Sequence, residues 1–508
     1  MKGKMKGLAL SLVVVLMSML ALAGCTSGGG STDVQSTNTP SNKPTEAVKE
    51  ELKPYHLTMF IPGSGDPKDM ALVNKELSTY LTEKINATLT LQVIDWGSWA
   101  DKMNLKYASG EKFDLVWTVN WDNFYPKIEQ GNFLDLTKLI DEYAPDAKKI
   151  IDPALMSGSK YKGKHYSLPV QKEMASTRGL LLRKDLVEKY KVDLTKITKL
   201  EDMEPIYDQI LKNEPGVVPF FLDKATSVFT ILSQKDLDSY LVREAKDYKV
   251  VNMFETPQYK AGLDLARKWY LAGYVNKDAA TTGNWAEQIK AGKVFSFPSA
   301  LKPGKDAEVS QAHGVEYVQV DLTKPIITTA DTTGSMMSIS RTSGNPERAM
   351  MFLNLLYTDK KLVNMIAYGI EGTHFVKKSE NVIDFPQGVT AQTSGYSLGT
   401  AWMFGNQFNN YLWTNEDPKK WEKFGAFNKA ADVSRVIGFS FDPSNVKNEV
   451  SAESNVHKEF IPALQTGTVD PNEVLPQFNS KLKSIGTDKI AAEKQKQIDA
   501  FVKENGLK

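Results

Sequence analysis

The chain has 508 residues, 41% of them hydrophobic and 24% charged, with 62 Lys and Arg against 61 Asp and Glu and a formal net charge of +1. These are the fractions of a globular protein, and the balanced charge argues against nucleic acid as the main partner, which demands a basic face. A single cysteine cannot form a disulfide within the chain, so packing must hold the fold.

The first segment reads as an export signal. Lys2, Lys4 and Lys6 precede Leu8–Leu22, an almost purely apolar run of about 15 residues, shorter than the roughly 20 that cross a bilayer. Leu22-Ala23-Gly24-Cys25 follows. It resembles the bacterial lipoprotein box, which implies a signal peptide at 1–24 and a lipidated N-terminal Cys25. One acyl chain holds a membrane only weakly; the diacylglyceryl group that such boxes receive would supply two. The competing reading is a plain signal, or a short uncleaved anchor, with a chance cysteine. Residues 26–50, "TSGGGSTDVQSTNTPSNKPTEAVKE", have almost no large apolar side chain and cannot offset the entropy of ordering. With its Gly-Ser and Pro content, 25–52 reads as a disordered tether.

From Tyr55 the pattern becomes globular, and roughly 450 residues exceed a single core, so two or more lobes are expected. "HLTMFIPG" reads as a strand. "DPKDMALVNKELSTYLTEKI" places Val73, Leu77, Tyr80, Leu81 and Ile85 on one helical face. "ATLTLQVI" alternates Ala87, Leu89, Leu91 and Val93 as a strand does. "SWADKMNLKYASG" is a helix closed by Gly110, and "FDLVWTV" is the next strand. Strand–helix–strand–helix–strand implies a parallel sheet with helices on its faces. Later helices start at Thr256-Pro257, Asn345-Pro346 and Asp470-Pro471. Each sets a capping residue before proline at the first helical position, where the missing N–H costs nothing. The last carries Leu475, Phe478, Leu482 and Ile485 inward and stops at Gly486.

The common catalytic motifs are missing. "GSGDPK" at Gly63 begins like a dinucleotide fingerprint, but Lys68 stands where the third glycine belongs. There is no phosphate loop, no H-E-x-x-H and no G-x-S-x-G. His56, His165, His313, His374 and His457 lack metal-ligand spacing. No cofactor and no metal are expected. A glycosidase carboxylate pair is defined by spatial separation, which a sequence does not carry.

Aromatic residues are the positive signal. Trp96 and Trp99 follow the strand "TLTLQVID"; Trp117 and Trp121 bracket the end of "FDLVWTVN"; Trp285, Trp402 and Trp413 lie in loop-like segments. Open sheets bind ligands beyond the carboxyl ends of their parallel strands. An indole there offers a flat apolar face and one N–H, suited to the C–H face of a sugar ring, while Asp, Glu, Asn and Arg suit its hydroxyl rim. The competing reading makes these tryptophans core.

The order of segments resembles extracellular solute-binding protein family 1, the maltose-binding-like lipoproteins of ABC importers, and its long subgroup with an extra C-terminal region. The matching stretches are "ASGEKFDLVWTVNWDNFYPKIEQGNFLDLTKLIDEYAP", "KHYSLPVQKEMASTRGLLLRKDLVEKY", "AGKVFSFPSALKPG", "AYGIEGTHF", "AWMFGNQFN" and "FIPALQTGTVDPNEVLPQFNSKLKSIG", which span roughly residues 55–508. The resemblance implies an α/β fold of the two-lobed periplasmic-binding-protein type (type II), each lobe a sheet flanked by helices. One lobe would take 53–168 and 328–380, the other 169–327 and 381–508. "SLPVQKE" would be the first hinge, its proline biasing Leu168 toward extended backbone.

The same layout implies the ligand contacts. Trp96, Asn120 and Trp121 lie past strand ends of the first lobe; Glu173 follows the hinge; Trp285 and Lys302 face from the second lobe. Glu371 sits between glycines, and Trp402, Asn406 and Phe441 lie in C-terminal segments. Glu173 reads alternatively as a surface charge beside Lys172, and Glu371 as a turn charge. The implied function is delivery of a carbohydrate, an oligosaccharide, to the permease subunits of an ABC importer. The protein would be a monomer on the extracellular face, touching the membrane only through its lipid, and would do no chemistry. The rivals are a secreted carbohydrate-active enzyme and a receptor for a non-sugar solute such as a peptide.

Overall fold

The computed structural model describes residues 52–233, 235–237, 240–242, 247–283, 285–390 and 393–507. The signal, Cys25 and nearly all of the tether lie outside the described residues.

The alternating apolar residues of the first segments build the first sheet. Tyr55–Gly63 pairs in parallel with Ala87–Asp95 on one side and Leu115–Thr118 on the other. Its register sets Leu57 against Leu89, Met59 against Leu91 and Ile61 against Val93. Each of these six is buried, so a one-residue slip would expose the set. Met336–Ile339 joins antiparallel to Leu115–Thr118, and Leu168–Pro169 closes the edge. The helix Met70–Ile85 buries Val73, Leu77, Leu81 and Ile85, the face its periodicity predicts. The helix Trp99–Ser109 ends on Gly110 at φ +67°, a left-handed cap that favours glycine.

A second sheet runs in the order Tyr317–Asp321, Thr177–Arg183, Val294–Leu301, Val218–Phe220. Thr177–Arg183 is antiparallel to both neighbours, while Val294–Leu301 and Val218–Phe220 are parallel. It has its own core, with Leu180, Leu182, Tyr207, Phe220, Trp269 and Phe295 all buried. The expected helix starts are present: side chains of Thr256, Asn345 and Asp470 accept from Tyr259 N–H, Arg348 N–H and Asn472 N–H.

The chain crosses between sheets through residues 170–176 and 322–335, and the two crossovers are bonded together. Ser176 and Ile326 exchange both backbone hydrogen bonds, at 3.0 Å each, and Val170 N–H donates to Ser335 C=O at 3.0 Å. A third segment runs beside them. Gln171 pairs with Asn406, and Ile326–Ile327 pairs in parallel with Asp432–Val433. Tyr396, Leu398, Met403 and Phe404, which lie after residue 381, bury in the first core. The Tyr396 hydroxyl donates to Ile366 C=O at 2.8 Å, and Gly405, at φ +44°, passes so close to Leu356 that a Cβ would stand 2.1 Å from its carbonyl oxygen. Val456, Leu464, Phe478 and Leu482 of the C-terminal helices Lys447–Gln465 and Pro471–Ser484 complete the second core.

Candidate functional site

A cavity of about 500 Å³ opens where the crossovers meet the ends of both sheets. The first crossover supplies Lys172 and Glu173. The end of Val294–Leu301 supplies Lys302, and the helix Lys305–His313 supplies Glu308. Tyr368, Phe385, Tyr396, Trp402 and Trp413 form an aromatic wall, and the helix Lys420–Ala430 adds Lys420, Trp421 and Phe424. Phe385 stacks on Trp413 with centroids 4.4 Å apart, and Tyr368 meets Trp413 edge-on at 5.7 Å. Trp421 is oriented by its indole N–H, which donates to Asn410 C=O at 2.9 Å.

The charges of the cavity satisfy one another. Lys302 Nζ lies 3.0 Å from Glu173 Oε1 and 2.8 Å from Glu308 Oε1; Lys172 Nζ lies 3.5 Å from Glu173 Oε1, and Lys420 Nζ 2.6 Å from Glu416 Oε1. Burial pushes the Glu173 carboxyl up, but Lys172 and Lys302 outweigh it and hold the group below its ordinary value. Burial pushes the Lys302 ammonium down, and Glu173 and Glu308 outweigh that, holding it above its ordinary value. Three lysines therefore face three carboxylates, and the wall presents no net charge.

Some polar atoms in the wall are not satisfied within the protein. Glu173 Oε2, Thr400 Oγ1 and Gln407 Oε1 are buried and have no hydrogen-bond partner there. Buried polar atoms are normally paired, and these three belong to residues of one cavity wall, where a ligand with hydroxyl groups would supply partners as side chains adjust. Two of them are acceptors and one is a hydroxyl, a set that matches a polyol rim.

Outside this cavity a line of indoles continues along the first lobe. Trp402 meets buried Trp117 edge-on at 5.8 Å. Trp117, whose N–H donates to Ser335 Oγ at 2.9 Å, meets Trp96 at 5.8 Å and Trp121 at 5.7 Å. Trp96 and Trp121 are 41% and 64% exposed and lie beyond the ends of Ala87–Asp95 and Leu115–Thr118, the two parallel strands that flank Tyr55–Gly63.

Of the residues expected in the site, Glu173, Lys302 and Trp402 share the cavity, and Trp96 and Trp121 form the exposed aromatic pair. Asn120 is tied to the second crossover, its amide donating to Ala330 C=O at 2.8 Å and to Thr333 Oγ1 at 3.0 Å. Glu371 does not line the cavity; it is exposed and pairs with Lys377 at 3.1 Å. Asn406 Oδ1 accepts from Phe408 N–H and caps a short turn. Phe441 packs among the C-terminal helices, with the Lys494 ammonium 4.9 Å over its ring. Trp285 opens the helix Trp285–Lys290, and its side chain lies outside the described residues. Sequence reasoning missed Phe385, Trp421 and Phe424. Their only signal was aromatic type near a segment already suspected. Among the described residues no cluster of His, Cys, Asp and Glu could hold a metal, and no helix is long and apolar enough to cross a membrane.

Two sheet lobes joined by paired crossovers, with a cavity at the junction, define a solute-binding protein. Comparison with known proteins agrees. A family model described as bacterial extracellular solute-binding protein matches residues 64–362, and the chain belongs to that family. A second model, a domain of unknown function (DUF3502), matches residues 435–503. A carbohydrate ABC transporter substrate-binding protein of Streptococcus pneumoniae is 32% identical over 431 residues, covering 83% of this chain and 86% of the relative. The crystal structure of NgtS, an N-glycan transport solute-binding protein of the same species, superposes with a TM-score of 0.78 at 30% identity, covering 89% of this chain and all of that one. Its complex with Man5GlcNAc superposes at 0.65 and 30% identity, over 89% of this chain and 99% of the other.

Proposed function

We propose that the protein is the extracellular receptor of an ABC importer for a neutral oligosaccharide, a glycan of mannose and N-acetylglucosamine being the first to test. The observation that carries this is the cavity. It combines aromatic faces, orphaned hydrogen-bonding atoms and charges that neutralise one another. An acidic sugar would need a free cation, and each of the three wall lysines is already paired. The relationship to NgtS, crystallised with Man5GlcNAc, supports the choice of glycan.

Binding without chemistry fits the same wall. A glycosidase needs one carboxyl raised to act as an acid, and the two lysines hold Glu173 the other way. Glu173, Lys302 and Trp402 would contact the first sugar, and Trp96 and Trp121 would stack against rings further along the ligand. The lobes would be 53–168 with 328 to about 405, and 169–327 with the C-terminal region. Ligand touching both lobes would favour the closed state, which docks on the permease. Lipid at Cys25 would hold the receptor at the membrane.

The test is a thermal-shift screen against neutral and acidic glycans. A ligand that binds only the folded state raises its melting point. Man5GlcNAc should raise it and a sialylated glycan should not; a preference for the acidic sugar would defeat the reading.

A further inference from the structure

We propose that Asn428 is a positioning residue, which aims Glu173 at the ligand by clamping the peptide on either side of it. The proposal rests on the sugar-binding reading above. Asn428 Oδ1 accepts from Met174 N–H at 3.0 Å and from Ala175 N–H at 3.3 Å, while its Nδ2 donates to Lys172 C=O at 3.0 Å. These three backbone groups bracket Glu173. They lie in a crossover whose flanks are held by backbone bonds, Gln171 N–H to Gly405 C=O and Ser176 N–H to Ile326 C=O. Between those flanks the carboxamide supplies what a neighbouring strand would. It has a donor and an acceptor in one plane; a carboxylate lacks the donor and a lysine or serine lacks the geometry.

The clamp comes from the cavity wall itself. Asn428 sits in the helix Lys420–Ala430, of which only Phe424 is buried. Residues four apart share a helical face, so Lys420, Phe424 and Asn428 form one stripe. The first two line the cavity and the third holds the crossover. Asn428 therefore ties the wall helix to the Glu173 loop. Held this way, Glu173 spends Oε1 on Lys302 and leaves Oε2 buried and unpartnered in the cavity. Losing the clamp would leave the Met174 and Ala175 N–H groups seeking other partners and the carboxylate no longer preorganised.

The test is a double-mutant cycle read by calorimetry with Man5GlcNAc, with melting points on every variant. Asn428→Ala should weaken binding about tenfold when Glu173 is present and less than about twofold in a Glu173→Ala background, because contacting residues are non-additive. Equal losses in both backgrounds, or none in either, would overturn the proposal. Should the unmodified protein fail to bind the glycan, it is the functional reading that falls. A ligand-free crystal structure of Asn428→Ala then decides the positioning role. A Glu173 carboxylate displaced from Lys302 supports it, and one unmoved at 3.0 Å refutes it.

Discussion

Lys302 Nζ, just past the end of a strand of the second sheet, lies 3.0 Å from Oε1 of Glu173 in the first crossover, and both residues line the cavity. Both partners are mostly buried, with 24% and 11% of their side chains exposed. Breaking one side of such a pair leaves an uncompensated charge. Glu173→Gln should therefore weaken glycan binding, by about 1.5–3 kcal/mol for a lost charged hydrogen bond, and also change the response to acid. The folded carboxyl is held below its ordinary value. Its contribution to stability is full above the unfolded value and is lost as pH falls through the depressed folded one. Melting curves taken from neutral pH into the acid range should fall less steeply for Glu173→Gln than for the unmodified protein. Parallel curves would remove the charge from the account.

The indoles should divide by burial. Trp402 is half-buried against the first core, so Trp402→Ala should cost both stability and about 2 kcal/mol or more of binding, roughly thirtyfold in affinity. Trp121 is 64% exposed, and surface substitutions commonly stay within about 0.5 kcal/mol of stability. Trp121→Ala should thus leave the melting point alone while weakening a long glycan more than a disaccharide. Titrations of both variants with ligands of two lengths check this. No effect on either length would place Trp121 outside the site, and an equal loss on both would place it at the first sugars rather than further along the ligand.

Ligand should compact the molecule, because under the proposed division of lobes the contacts from Lys302 and from Trp402 would come from different lobes. The radius of gyration from small-angle scattering should fall on saturation with Man5GlcNAc. No change would indicate a site that does not depend on lobe closure.

Cys25→Ser should release the protein from membranes without altering its affinity for glycan. Fractionation of cells followed by alkaline extraction checks the first part, and calorimetry the second. A variant that stays with the membrane would remove the lipoprotein reading.

Much of the architecture was legible because it is local. The apolar run in "TMFIPG" and the alternation in "ATLTLQVI" set the parallel strands, and the proline-capped starts at Thr256, Asn345 and Asp470 are made by neighbours in sequence. The positions of candidate residues were legible where a residue follows directly from a strand end or crossover: Glu173 and Lys302 line the cavity, and Trp96 and Trp121 pair beyond the sheet. Glu371 and Asn406 carry the right chemistry but spend it nearby, on Lys377 and on the Phe408 N–H. Trp421, Phe424 and Asn428 were illegible for the opposite reason. Their helix buries one residue and has no strong apolar stripe, and Asn428 meets Met174 across 254 positions of sequence. The chain returns to the first core through Tyr396 and Phe404, so the third crossing comes later than a division at 381 implies.

The most direct test of the account is a crystal structure of the protein with Man5GlcNAc. The account predicts a sugar ring against Trp402, with hydroxyl groups on Glu173 Oε2, Thr400 Oγ1 and Gln407 Oε1, the three atoms now without partners. A glycan bound elsewhere, or these atoms left unpaired beside it, would contradict it.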